Sequence, residues 1–86
     1  MRPSPVVALN YAAAVAMAEG ASAGLAMMEP LTHALIGYQP FHAARAELLS
    51  RLGRRAEAAA GFRTALGFPI NDVERRHLLK RLGEME

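Results

Sequence analysis

Residues 42–66 read HAARAELLSRLGRRAEAAAGFRTAL. At about 100° per residue, Phe41, Ala44, Leu48, Leu49 and Leu52 share one arc, which predicts a helix over about Phe41–Leu52. Gly53 stops it. A second helix follows almost at once, over Arg54–Leu66, with Ala58, Ala59, Phe62, Ala65 and Leu66 as its stripe and Glu57, Gly61 and Thr64 facing away. Two helices with almost no linker must fold back on each other. Small Ala46 and Ala58 let them approach closely, Leu49 and Phe62 fill the space between them, and Ala65-Leu66 closes it.

Upstream, Ser4-Pro5 reads as an N-cap followed by proline at the first helical position. It opens a helix over Pro5–Glu19 that Gly20 ends as a left-handed cap. Val6, Leu9, Ala13, Ala16 and Met17 are its expected inner face, but the opposite side is also Ala and Val. A helix that is apolar all round is normally covered on more than one side. Ser22 is the expected cap of the next helix, which carries Leu25, Met28 and Leu31 and is kinked or ended by Pro30, because proline lacks the N–H and clashes with the preceding turn. Leu31–Ile36 reads as a further helical turn, and Gly37–Pro40 as a loop. Downstream, Gly67-Phe68-Pro69 breaks the chain. Asn71-Asp72-Val73-Glu74 resembles a capping box and starts a helix from Asp72 to about Leu82, carrying Leu78, Leu79 and Leu82, with Met85 beyond.

A repeat underlies this pattern. Gly20 and Gly53 lie 33 residues apart, as do Ala13 and Ala46, and Ala16 and Leu49. Past the turns the offset is 34, pairing Gly24 with Ala58, Met28 with Phe62 and Leu31 with Ala65. A helix hairpin recurring at 34 residues is the tetratricopeptide pattern. The expectation is an all-α, tetratricopeptide-like, right-handed stack of about five helices in one domain over 1–86. A degenerate first hairpin spans 5–36, a second spans 41–66, and a capping helix spans 71–84.

Composition agrees. The chain has 86 residues, 52% of them hydrophobic, including 18 alanines and no tryptophan. Alanine favours helix and β-branched residues favour strand. Length allows one small core. With no cysteine, disulfides, thiolate metal sites and thiol catalysis are excluded. The first 40 residues sum to −1 (Arg2, Glu19, Glu29) and the rest to +3. Arg2, the apolar run Val6–Ala18 and Ala21-Ser22-Ala23 mimic a secretory signal, but Asn10 and Tyr11 interrupt the run. No stretch approaches the ~18 apolar residues of a membrane span, so the expected location is the cytoplasm.

No constellation for chemistry is visible. His33, His42 and His77 lack ligand spacing, the serines lack a nucleophile elbow, and no glycine-rich phosphate loop occurs. The expectation is a non-enzyme with no cofactor and no metal. Arg51, Arg54 and Arg55, and then Arg76, Lys80 and Arg81, read as a solvated face interleaved with Glu47, Glu57 and Glu84. They form neither an aromatic-studded nor a clean basic stripe, so direct nucleic-acid contact is not expected. Two polar residues sit on apolar faces. Arg45 falls about 40° from Phe41, inside the apolar arc, and must be paired or snorkel; Glu74, at the edge of the last helix's stripe, is its expected partner. Asn10, between Val6 and Met17, is expected to bond a backbone carbonyl or a neighbouring chain.

The stretches PSPVVALNYAAAVAMAEG (3–20), AGLAMME (23–29), HAARAELLSRLGRRAEAAAGFRTAL (42–66) and ERRHLLKRLGEM (74–85), in this order, resemble the C-terminal end of a subfamily of bacterial RNA polymerase sigma factors of the extracytoplasmic-function type. These carry a long helical extension with tetratricopeptide-like repeats. Tyr11 departs from that pattern, where arginine is usual, and so does Pro30. The resemblance implies a fragment of a longer chain: a C-terminal regulatory or protein-interaction module in transcription initiation. Its implied partners are the upstream sigma-factor domains or the polymerase, with self-association through the first helix as a further option. A free-standing tetratricopeptide-like adaptor for a partner peptide is the rival reading, and a DNA-contacting module a weaker one.

Overall fold

A computed structural model describes residues 4–86; Arg2 and the start of the resembling stretch at Pro3 lie outside the described residues. Its elements are α1 (Pro5–Glu19), α2 (Ala21–Met28), a 3-10 turn (Glu29–Leu31), α3 (Gln39–Arg51), α4 (Arg55–Leu66) and α5 (Asp72–Met85). Among the described residues there is no strand. The chain is an all-α stack of helix hairpins: α1 packs on α2, α3 on α4, α2 on α3, and α5 closes the far side against α4.

Local chemistry sets the boundaries. The Ser4 hydroxyl accepts the Val7 amide at 3.1 Å, with Pro5 leading the first turn. Gly20 is the entire connection between α1 and α2. Its φ of 105° with ψ of 162° is not the expected left-handed helical cap but a conformation open essentially to glycine alone. The turn is so tight that α2 starts at Ala21 without a side-chain cap, so Ser22 lies within the helix and does not cap it. Pro30 ends α2 as expected, in the 3-10 turn, where the Thr32 hydroxyl donates to the Glu29 carbonyl at 2.8 Å. The turns that follow bury Leu35. The predicted loop at 37–40 is shorter than expected. Helix α3 begins at Gln39, because Pro40 in a first turn forfeits no internal hydrogen bond.

Gly53 (φ 76°) closes α3 with a Schellman pair: its amide bonds Ser50 O and the Arg54 amide bonds Leu49 O, both at 3.0 Å. Asn71 caps α5 through the Glu74 amide at 2.8 Å.

The core runs through all five helices: Leu9, Ala12 and Ala16; Leu25 and Met28; Phe41, Ala46, Leu48 and Leu49; Ala58, Phe62 and Ala65; and Leu78. Ala46, Ala58 and Phe62 are fully buried at the α3/α4 contact, as the sequence reading expects. Three placements differ. Gly61 faces α3: a Cβ there would stand 2.9 Å from Ala46 Cβ. Gly24 plays the same part in the first hairpin, where a Cβ would overlap Ala16 and reach 3.0 Å from Ala12 O. Helix α1 is also rotated from the expected face. It buries Ala12, while Ala13, Met17 and Asn10 are exposed, so the expected pairing of Ala13 with Ala46 does not hold: Ala16, which meets Gly24 as Ala46 meets Gly61, is the structural counterpart of Ala46. With apolar residues all round, nothing in that helix could fix its rotation. The close approach permitted by Gly24 decides it. Leu52 and Leu79, expected inside, are likewise exposed.

Candidate interaction surfaces

Of the arginines read as a solvated face, Arg51, Arg54 and Arg76 are exposed as expected, whereas Arg55 and above all Arg81 act as staples between helices. Arg81 turns inward from α5 and retains 21% side-chain exposure. Its Nε and Nη2 donate to the two Glu47 oxygens of α3 at 2.8 and 3.0 Å, and Nη2 also reaches Ser50 Oγ at 3.0 Å. Nη1 donates to Glu84 at 2.7 Å. The guanidinium carbon lies 5.5 Å from the centroid of the Phe62 ring. The hydrogen bond to Glu47 above all, then that to Glu84, holds the Arg81 pKa above its ordinary value against the opposing effect of burial. The Glu84 carboxyl is held below its usual range chiefly by its hydrogen bond from Arg81. Arg55 donates to the Glu84 carbonyl at 2.9 Å and Arg63 pairs with Glu86, tying the end of α5 to α4. Arg54 and Glu57 form a local two-bond pair at 2.8 and 2.7 Å, raising the arginine and lowering the carboxyl mainly through those bonds.

The expected Arg45–Glu74 bridge does not form. Arg45 Nε donates to Glu29 Oε1 at 2.9 Å, joining α3 back to the end of α2. Glu74 instead accepts from Gln39 Nε2 at 3.1 Å, joining α5 to the start of α3. Helices α3 and α5 are thus linked, as the repeat implies, but Gln39 and Glu47 face α5 whereas Arg45 faces α2. The capping box is half made, since the Glu74 carboxylate goes to Gln39. Asn10 stands on the exposed side of α1, so the expected backbone bond inside an apolar face is absent. His42 is half-buried, donates Nε2 to Ile36 O at 2.7 Å and stacks on Phe68 with centroids 5.5 Å apart. Among the described residues no group of three or more His, Asp or Glu side chains is placed to hold a metal.

What the arginines leave uncovered is α1. From Pro5 to Ala18 it carries no charge, and Val7, Tyr11 and Met17 are 56%, 63% and 85% exposed. Two apolar grooves flank it. One, between α1 and α2, is bounded by Val7, Ala8, Tyr11 and Met27. The other lies between α1 and α3, over Met28 and Leu48. Sequence reasoning foresaw the uncovered face but not the grooves, which exist only once α1 and α3 are placed on either side of α2.

Fold and surface together define a small helical-hairpin module, stapled by arginines at its C-terminal end and apolar at its N-terminal end. The chain is similar to an uncharacterised protein of Rhizobium meliloti (strain 1021), with 42% identity over 85 residues. The match takes in 99% of this chain and 20% of that protein, so the chain spans about a fifth of the length of the curated relative. No family profile matches the chain. No solved structure matches it. Among the described residues no helix is long and apolar enough to cross a membrane.

Proposed function

We propose that this chain is a protein-interaction module of a longer bacterial polypeptide, and specifically a C-terminal regulatory module of an extracytoplasmic-function-type sigma factor, acting in the cytoplasm during transcription initiation. The observation that carries the module reading is α1. Its exposed Val7, Tyr11 and Met17 make a face that a solvent-facing helix normally lacks. The relative's greater length supports the same reading, since the matched stretch is about a fifth of that protein. The sigma-factor assignment rests on the residue pattern over 3–29 and 42–85 described above. On this reading the upstream domains or the polymerase cover α1, and the module neither catalyses nor reads DNA.

The test is reporter transcription by a sigma factor that carries this module, intact and with the module removed. Altered transcription on removal is expected. Equal activity overturns the regulatory role. A free-standing adaptor is the second reading, favoured by the apolar groove between α1 and α3; a stop codon immediately upstream of this coding segment would select it. Tight DNA binding by the isolated chain, falling steeply with salt, would favour instead a nucleic-acid role.

A further inference from the structure

Helix α3 leans on α2 more than on α1, and a cleft of about 170 Å³ opens between α1 and α3. Ala13 and Met17 form one wall, Leu48 the other, and Met28 the floor. An enclosed apolar cavity of about 150 Å³ holds a benzene-sized group; this cleft has a similar volume but is open to solvent on one side, which leaves room for one leucine, methionine or phenylalanine side chain to enter from a partner. Two methionines among its walls let it adapt to shape. Two charged side chains stand at its edge, Glu47 and Arg51. Both oxygens of Glu47 are already held, by Nε and Nη2 of Arg81. Arg51 makes no ion pair with any carboxylate among the described residues. The cleft therefore presents an apolar pocket beside one uncommitted guanidinium, whose planar fork matches a carboxylate.

We propose that this cleft is an anchor site for a partner peptide bearing a bulky apolar side chain next to a carboxylate. The side chain enters between Met17 and Leu48, and the carboxylate pairs with Arg51. This deepens the interaction-module reading and rests on it, without requiring the partner to belong to the transcription machinery.

The test titrates the isotope-labelled 86-residue chain with N-acetyl-leucine and with N-acetyl-leucinamide, followed by amide chemical shifts. Ligands this small bind in about the millimolar range even at a good site. The acid should shift residues around Met17 and Leu48–Arg51 and bind about 5–10-fold more tightly than the amide at low salt. Arg51→Gln should erase that difference and leave amide binding unchanged. Ala13→Leu, at an exposed position that fills the cleft, should abolish binding of both while the helical circular dichroism is retained. No shift with either probe, or equal affinity for acid and amide, overturns the proposal. Shifts at Leu48 and Arg51 that grow with protein concentration alone, and that persist in Val7→Glu, also overturn it, by assigning the cleft to a second copy. These readouts involve no transcription, so the site and the sigma-factor assignment fail separately.

Discussion

Removing Arg81 should weaken the stack more than any other single charge change. The side chain makes two hydrogen bonds to Glu47, one to Ser50 and one to Glu84, and lies over Phe62. Exposed ion pairs contribute about 0.2–1 kcal/mol, and stripping one partner from a fully buried pair costs about 3–5 kcal/mol. With Arg81 and Glu47 side chains 21% and 31% exposed, the site lies between these limits. Arg81→Met, which keeps most of the packing of the stem, should cost about 2–3 kcal/mol. Part of that, about 0.5–1 kcal/mol, is the lost contact with the Phe62 ring and is not shared with Glu47. Glu47→Gln should cost about 1–2 kcal/mol, and the coupling between the two positions should be about 1–2 kcal/mol. A chain of this size has about 4–13 kcal/mol in all, so the Arg81 loss should lower Tm by roughly 10–20 °C. Arg81→Lys should recover little, because an ammonium cannot bridge both Glu47 oxygens as the guanidinium does. The assay is urea unfolding of wild type, both single variants and the double variant. Additive losses, with coupling under about 0.3 kcal/mol, would refute the staple and return Arg81 to the solvated face.

Other expected outcomes follow from the same contacts. Arg45→Met and Glu74→Leu should be additive within about 0.5 kcal/mol, whereas Arg45→Met and Glu29→Gln should couple weakly, by a few tenths of a kcal/mol in the same unfolding assay. Gly24→Ala should destabilise by about 1–2 kcal/mol despite the better helix propensity of alanine, because the added methyl meets Ala16 and the backbone of Ala12; Gly83→Ala, with nothing within 4 Å, should be neutral or stabilising. Lowered carboxyl pKa values at Glu57 and Glu84 contribute stability that is present above about pH 4.5 and lost as pH falls through the folded values, so the urea midpoint should drop between about pH 5 and pH 3. Static light scattering of the isolated chain should show mass rising with concentration through the α1 face, and Val7→Glu should suppress it with a stability change within about 0.5 kcal/mol; a strict monomer at high concentration would count against an adhesive α1.

The residues of α3 and α4 carry enough pattern to place a helix hairpin and its Gly53 stop, because a stripe at helical spacing marks the side of each helix that must be covered; the buried Ala58 and Phe62 lie on that stripe, and the repeat marks Ala46 as a point of close approach. The caps at Ser4 and Asn71, and the break at Pro30, are equally local: each depends on atoms within a turn of itself. The face of α1 is not local. With alanine and valine on every side, its rotation depends on Gly24 of α2 coming into contact with Ala16, which is why Ala12 is buried and Ala13 is not. Charge partners are likewise decided in three dimensions. Sequence spacing brings Arg45 near the inner arc of its helix, but the side on which α2 packs gives it Glu29, and the side on which α5 packs gives Glu47 to Arg81. A long arginine reaches several candidate carboxylates, and only the assembled stack determines which lies within hydrogen-bond distance. The cleft beside Arg51 arises in the same way, from three helices whose separation no single helix encodes.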